Sequence, residues 1–203
     1  MIYFVTDRKI AHGDFYRILE EAVAGGVDGI ILREKDLGDE ALFSIAAKIK
    51  AITTGTGTEL IVNNSLAVAK KVEAEGYHIG FSPFIEENET KRAGFFGKIG
   101  VSVHSIEEAV EAEKAGADYL LAGHIFPTGC KPGVKPRGTV WLQKVISSVT
   151  IPVIAIGGIE PENLSKLSGT GLTGVAVRSL IMQSPSPKQT VRLLQTEWQK
   201  LHQ

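Results

Sequence analysis

Eight short runs of apolar, mostly β-branched residues recur along the chain, each followed by a longer stretch of amphipathic spacing. This alternation constrains the fold more than any single motif does. The runs are IYFVT (2–6), DGIIL (28–32), ELIVN (59–63), YHIGF (77–81), KIGVS (98–102), DYLLAG (118–123), PVIAIGG (152–158) and GVAVRS (174–179). Strands apolar on both faces belong to a sheet covered on both sides, as parallel strands flanked by helices are. Eight such alternations in 203 residues predict an α/β fold, a compact (β/α)8 TIM barrel, with an open doubly wound sheet as the alternative.

The intervening segments carry helix signals. In DFYRILEEAVAGG, Phe15, Ile18, Leu19, Ala22 and Val23 fall on one face and Gly25 and Gly26 supply a stop. In SIEEAVEAEKAGAD, Ser105 is a cap with Glu108 three residues on, the spacing of a capping box, and Gly116 ends the helix. The segment SPFIEENETKRAGFF is the least regular of the expected helices.

A chain of this length, 43% apolar, fills one core, so residues 1–203 are expected to form a single domain. The 22 basic and 23 acidic residues are interspersed, which argues against nucleic-acid or anionic-membrane partners and for a small polar metabolite. The lone Cys130 excludes an internal disulfide. The opening residues lack the pattern of a signal peptide and no run reaches the ~20 apolar residues of a membrane span, so a cytoplasmic location is expected.

In a barrel, the carboxyl ends of the strands share one mouth. There Gly157 and Gly158, in IGGIEPENL, and Val177, Arg178 and Ser179, in GVAVRSL, follow strands seven and eight, the loops suited to a phosphate; a tight turn would also explain the two glycines. Arg33 and Lys35, alternate residues at the end of strand two, point the same way and suit a carboxylate or phosphate, unless Glu34, Asp36 and Asp39 draw them into a surface network. Asn63 ends strand three. The loop His124–Arg137 is long enough for a flap in which Thr128, Gly129, Cys130 and Lys131 close over an anion; Lys131, Lys135 and Arg137 are alternatively solvated charges. Cys130 has no histidine beside it and is not assigned as a nucleophile. His124 is the candidate acid/base, its bland alternative being a structural imidazole; His78 and His104 are weaker candidates, and His12 and His202 are read as surface residues. Strands three and four end in IVNNSLA and YHIGFSPF, which offer no acid to magnesium, so neither metal nor cofactor is expected.

Taken in order, YFVTD, ILREKDL, IVNNSLAVA, GYHIGFSPF, IGVSVHSIEEA, GADYLLAGHIFPTGCKPG, IPVIAIGGIEPENL and GVAVRSL resemble the thiamine phosphate synthase superfamily across almost the full chain. The resemblance implies a (β/α)8 barrel with phosphate held against Gly158 and the Val177–Ser179 backbone. Synthases of that superfamily usually have glutamine at the position of Ile31, aspartate at Asn64, glutamine at Phe81, aspartate at Pro83, proline at His124 and threonine or serine at Cys130. Two carboxylates associated with magnesium are therefore missing here. These departures resemble the thiazole tautomerase (TenI) branch. That branch implies an isomerase, in which a carboxylated dihydrothiazole phosphate with an exocyclic double bond becomes the aromatic carboxythiazole phosphate. His124 would move the proton, and either Thr128 to Lys131 or Arg33 and Lys35 would hold the carboxylate. The alternatives are a thiamine phosphate synthase, which is a transferase, and a non-catalytic phosphate-binding regulatory module. Barrels of this type often associate, which leaves room for a homo-oligomer.

Overall fold

The computed structural model describes residues 1–87, 92–129 and 133–201. Its eight parallel strands are β1 (Ile2–Val5), β2 (Gly29–Leu32), β3 (Glu59–Asn63), β4 (Gly76–Gly80), β5 (Lys98–Val103), β6 (Tyr119–Gly123), β7 (Val153–Ile156) and β8 (Gly174–Val177). Each pairs with its sequence neighbour, and β8 pairs back onto β1 with Ala176 opposite Tyr3, which closes the barrel and excludes the open sheet. The helices are α1 (Phe15–Gly25), α2 (Asp39–Thr53), α3 (Leu66–Lys71), α4 (Phe81–Glu86), α5 (Ile106–Lys114), α6 (Gly138–Ser148), α7 (Ser179–Met182) and α8 (Pro187–Lys200). The connection from β7 to β8 is a 3-10 turn over Pro161–Leu167. Helix α4 covers the start of the irregular segment, and residues 88–91 lie outside the described residues.

Two apolar cores follow from strands buried on both faces. The outer core packs Phe4, Ile30, Leu60, Val101 and Leu120 against Leu19, Ile49 and Leu142 of the helices. Complete burial of such a side chain stabilises by about 1.5–3 kcal/mol. The inner core is narrower: Tyr3, Val5, Ile31, Ile61, Tyr119, Leu121, Ile154 and Ala176 fill the barrel axis. Large inner side chains sit opposite glycines. A Cβ on Gly100 would lie 2.0 Å from Cζ of Tyr119, so that glycine makes room for the Tyr119 ring across β5.

The helix signals hold in their main lines. Asp14 caps α1 by accepting from the Arg17 amide, and Ser105 caps α5 by accepting from the Glu108 amide at 3.1 Å. Glu108 reaches back one residue further than a capping box requires, accepting from the His104 amide at 2.6 Å. Gly26 (φ 93°) and Gly116 (φ 88°) turn the chain out of α1 and α5 in the left-handed region.

Candidate active site

At the carboxyl ends of the strands lies a cavity of about 900 Å³. Its floor is the top of the inner core, Val5, Ile31, Leu121, Ile156 and Ala176, interrupted by the polar side chains of His78 and Ser102. Around the rim stand Arg33 and Lys35 after β2, Asn63 and Asn64 at β3, and His104 after β5. The rest of the wall is His124, Thr128 and Gly129 after β6, Gly157 and Gly158 after β7, and Val177, Arg178 and Ser179 after β8. Every expected site residue that is described thus lines one cavity; Cys130 and Lys131 lie outside the described residues.

The local chemistry of β2 explains how two cations reach the mouth. Just past the end of β2, Arg33 and Lys35 line the cavity, whereas Glu34 does not. Glu34, 6% exposed, accepts from Thr6 Oγ1 at 2.7 Å, from the Arg8 amide and from Arg8 Nη1 at 2.9 Å. Asp36 is taken by Arg8 and Lys9. Glu34 and Asp36 are thus paired with cations of the β1 loop. The Arg8 guanidinium holds the Asp36 carboxyl well below the usual carboxylate range.

After β7, both glycines are required by packing as well as by conformation. Gly157 (φ 99°) and Gly158 (φ 66°) are left-handed, and a Cβ on them would lie 2.3 Å from His124 Cβ and 2.3 Å from the Pro127 oxygen, respectively. The tight-turn explanation is thus correct, and it nests the β7 loop against the β6 loop where both meet the cavity. Arg178 Nη1 is 3.1 Å from Asp7 Oδ2. Asn63 Nδ2 donates to the His78 carbonyl at 3.0 Å and ties β3 to β4. His124 is 5% exposed, with Nε2 3.2 Å from the Val134 carbonyl oxygen, so its imidazole fastens the flap to the wall.

A magnesium ion bound to a diphosphate needs carboxylate oxygens beside the phosphates. Among the described residues no group of three His, Cys, Asp or Glu side chains is placed to hold a metal ion. The β3 end offers two asparagines, α4 begins with Phe81, Ser82 and Pro83, and Asp7 is committed to Arg178. Among the described residues, the ends of β3 and β4 therefore offer that cation no carboxylate, and Glu160 after β7 is an acid of the cavity wall.

Sequence reasoning left out Glu160 and the turn from Gln183 to Pro185 with Thr190. Ser102 and His104, at the end of β5, line the cavity as their strand-end position predicts. The Gln183–Pro185 turn carries no motif; it lies in the link from α7 to α8 and lines the cavity there.

Closed barrel and C-terminal cavity together define the class: a (β/α)8 barrel of the kind whose chemistry is carried by the loops after the strands. The particular family is shown by comparison. The family model for thiamine monophosphate synthase matches residues 2–181. The thiamine-phosphate synthase of Clostridium acetobutylicum is 40% identical over 199 residues, which cover 95% of this chain and 92% of that one. The thiamine-phosphate synthase of Fusobacterium nucleatum subsp. nucleatum is 39% identical over 193 residues, 94% and 93% of the two chains. Thiamine phosphate pyrophosphorylase from Pyrococcus furiosus superposes with a TM-score of 0.87 at 33% identity, covering 98% of this chain and 96% of that one. The chain belongs to the thiamine monophosphate synthase family. No helix is long and apolar enough to cross a membrane among the described residues.

These relatives overturn the expected isomerase. Proteins 35–40% identical over most of the chain are named as synthases, which are transferases, so the thiazole tautomerase expectation does not stand.

Proposed function

We propose that this protein is a transferase that joins a pyrimidine diphosphate to a thiazole phosphate to make thiamine phosphate. The observation that carries the reading is that two groups suited to anions, one after β2 and one after β7 and β8, line one cavity. Arg33 and Lys35 form one, and the loops of Gly157–Gly158 and Val177–Ser179 form the other. Two phosphate-bearing substrates call for two such groups. The names of the relatives support the same reaction.

The atoms balance without a base. The bond from the pyrimidine methylene carbon to the diphosphate oxygen breaks, and the diphosphate leaves with the electron pair. The thiazole nitrogen lone pair forms the new bond to that carbon, and the ring becomes a cationic thiazolium. No proton need move, so the reaction asks for charge stabilisation rather than an imidazole base. Arg33 and Lys35, with Thr128 and Gly129 of the flap, receive the leaving diphosphate. Gly157, Gly158 and the Val177–Ser179 segment hold the thiazole phosphate, and Asn63, at the end of β3, stands on the rim next to Arg33 and Lys35. Cys130 and Lys131 belong to the flap in this reading.

The test is to incubate the protein with both substrates and follow thiamine phosphate by chromatography and pyrophosphate by phosphorus NMR, once with magnesium and once with a chelator. Formation of both products in equal amounts supports the transferase. Lys35→Ala should lose about 10- to 100-fold in kcat/KM, the loss of one charge-assisted contact. His124→Gln, which keeps a donor for Val134, should stay within about tenfold of wild type, well short of a catalytic deletion. No product under either condition overturns the reading.

A further inference from the structure

Below the rim, three polar side chains from three strands form a chain that the transferase reading does not use. Nδ1 of His78 lies 3.1 Å from the Tyr119 hydroxyl, and Nε2 lies 2.8 Å from Oγ of Ser102. His78 is 2% exposed and Tyr119 5%, while Ser102 is half-buried and faces the cavity. The Tyr119 ring also stacks on Tyr3 and is seated by the absence of a side chain at Gly100, so its hydroxyl has a fixed address.

The protons in this chain can be assigned. Burial, and after it the charge of Arg33, pushes the His78 imidazole down to about 3, so it is neutral near pH 7 and has one N–H. Burial holds the Tyr119 phenol well above its ordinary value, so its proton stays on. Two arrangements remain. If Nδ1 carried the proton, it would donate to the phenol oxygen, and the phenol proton would be stranded in the inner core among Tyr3, Ile61 and Ile154. A stranded buried donor costs about 1–3 kcal/mol, a preference of roughly 5- to 150-fold against that form. In the other arrangement the phenol donates to Nδ1, Nε2–H donates to Ser102 Oγ, and every group is satisfied.

We infer that His78 and Tyr119 are positioning residues that fix Ser102 as a hydrogen-bond donor into the cavity, so that the ligand group seated on it accepts that bond. A serine hydroxyl ordinarily gives or takes as its partner requires. Here Oγ already receives the imidazole N–H, and its own proton turns toward the ligand. An anionic oxygen or an unprotonated ring nitrogen suits this point of the floor, and an ammonium group, which can only donate, does not. The kinetic consequence rests on the transferase reading; the proton assignment does not.

Nitrogen NMR of histidine-labelled protein tests the assignment without turnover. The two ring nitrogens of His78, identified by its loss in His78→Gln, should show Nε2 protonated and Nδ1 bare near pH 7. A protonated Nδ1, alone or in an imidazolium, overturns the inference. The kinetic arm uses Ser102→Ala, Tyr119→Phe and the pair. Ser102→Ala should lower kcat/KM by about 10-fold or more, the loss of a hydrogen bond to an acceptor. Tyr119→Phe keeps the ring and should cost several-fold, with no further loss when added to Ser102→Ala, because it acts only through that hydroxyl. Losses that multiply would make Tyr119 merely structural and also overturn the inference. If no variant and no wild type turns over while Nε2 is protonated, the transferase reading fails and the fixed donor stands.

Discussion

His78 makes a second measurable claim at the scale of one residue, on stability. Its folded value is pushed down to about 3 from an ordinary 6.5, so between those limits the unfolded chain binds a proton that the folded chain refuses. The sign follows directly: stability is full above about pH 6.5 and is lost as pH falls toward 3. The slope for one such group is about 1.4 kcal/mol per pH unit, or about 2 kcal/mol between pH 6.5 and 5. Asp36, which Arg8 holds low, and Glu113, which Thr150 holds low, titrate beneath that window and do not confuse it. Urea unfolding of wild type and His78→Gln at both pH values should therefore show wild type losing about 2 kcal/mol more than the variant on acidification. Equal losses would mean that the imidazole is not buried as described.

At the scale of elements, the structure depends on how neighbouring strand ends are fastened, and Glu34 is the clearest case. Thr6 Oγ1 donates to Glu34 and accepts from the Arg33 amide at 3.0 Å, so one carboxylate fixes the β1 loop, the β2 end and the origin of Arg33. Glu34→Ala leaves the Thr6 hydroxyl and the Arg8 amide without their acceptor and should cost about 2–4 kcal/mol, seen as a fall in Tm of about 4–16 °C. Glu34→Gln keeps one acceptor and should cost about half as much; an alanine variant within 0.5 kcal/mol of wild type would return Glu34 to the class of exposed ion pairs. The same loop shows what was legible in the sequence. That Arg33 and Lys35 reach the mouth could be read from their place directly after an apolar run. The partner of Glu34 could not, because Arg8 lies 26 residues away and only strand pairing brings it near. The eight strands were likewise visible as apolar runs, whereas the closure of β8 on β1 depends on register, which no single run carries. His78 and Tyr119 stand 41 residues apart, and a histidine inside a strand gives no sign of the hydroxyl above or below it. The choice between the transferase and isomerase branches turned on substitutions at single positions, where resemblance across the whole chain was the stronger constraint.

For the molecule as a whole, the cavity and the fold are one object, since every strand of the closed sheet meets its neighbours around the ligand space. We take the 203 residues as a single unit in which no strand can detach without opening the cavity. A ligand bound there stabilises only the closed barrel, so inorganic pyrophosphate, the released product of the proposed reaction, should raise the unfolding temperature by mass action. At 100 times its Kd the gain is about 2.7 kcal/mol, which for a chain of this size is about 5–10 °C. Scanning calorimetry should show one transition moving upward as a whole, and the rise should shrink in Lys35→Ala at the same pyrophosphate concentration. A rise unchanged by that substitution would place the anion elsewhere, and two transitions, only one of them moved, would mean that the barrel is not one cooperative unit. The shift itself must fall as salt screens the rim cations, whereas the acid-induced loss tied to His78 should scarcely respond, because that imidazole titrates out of reach of solvent ions.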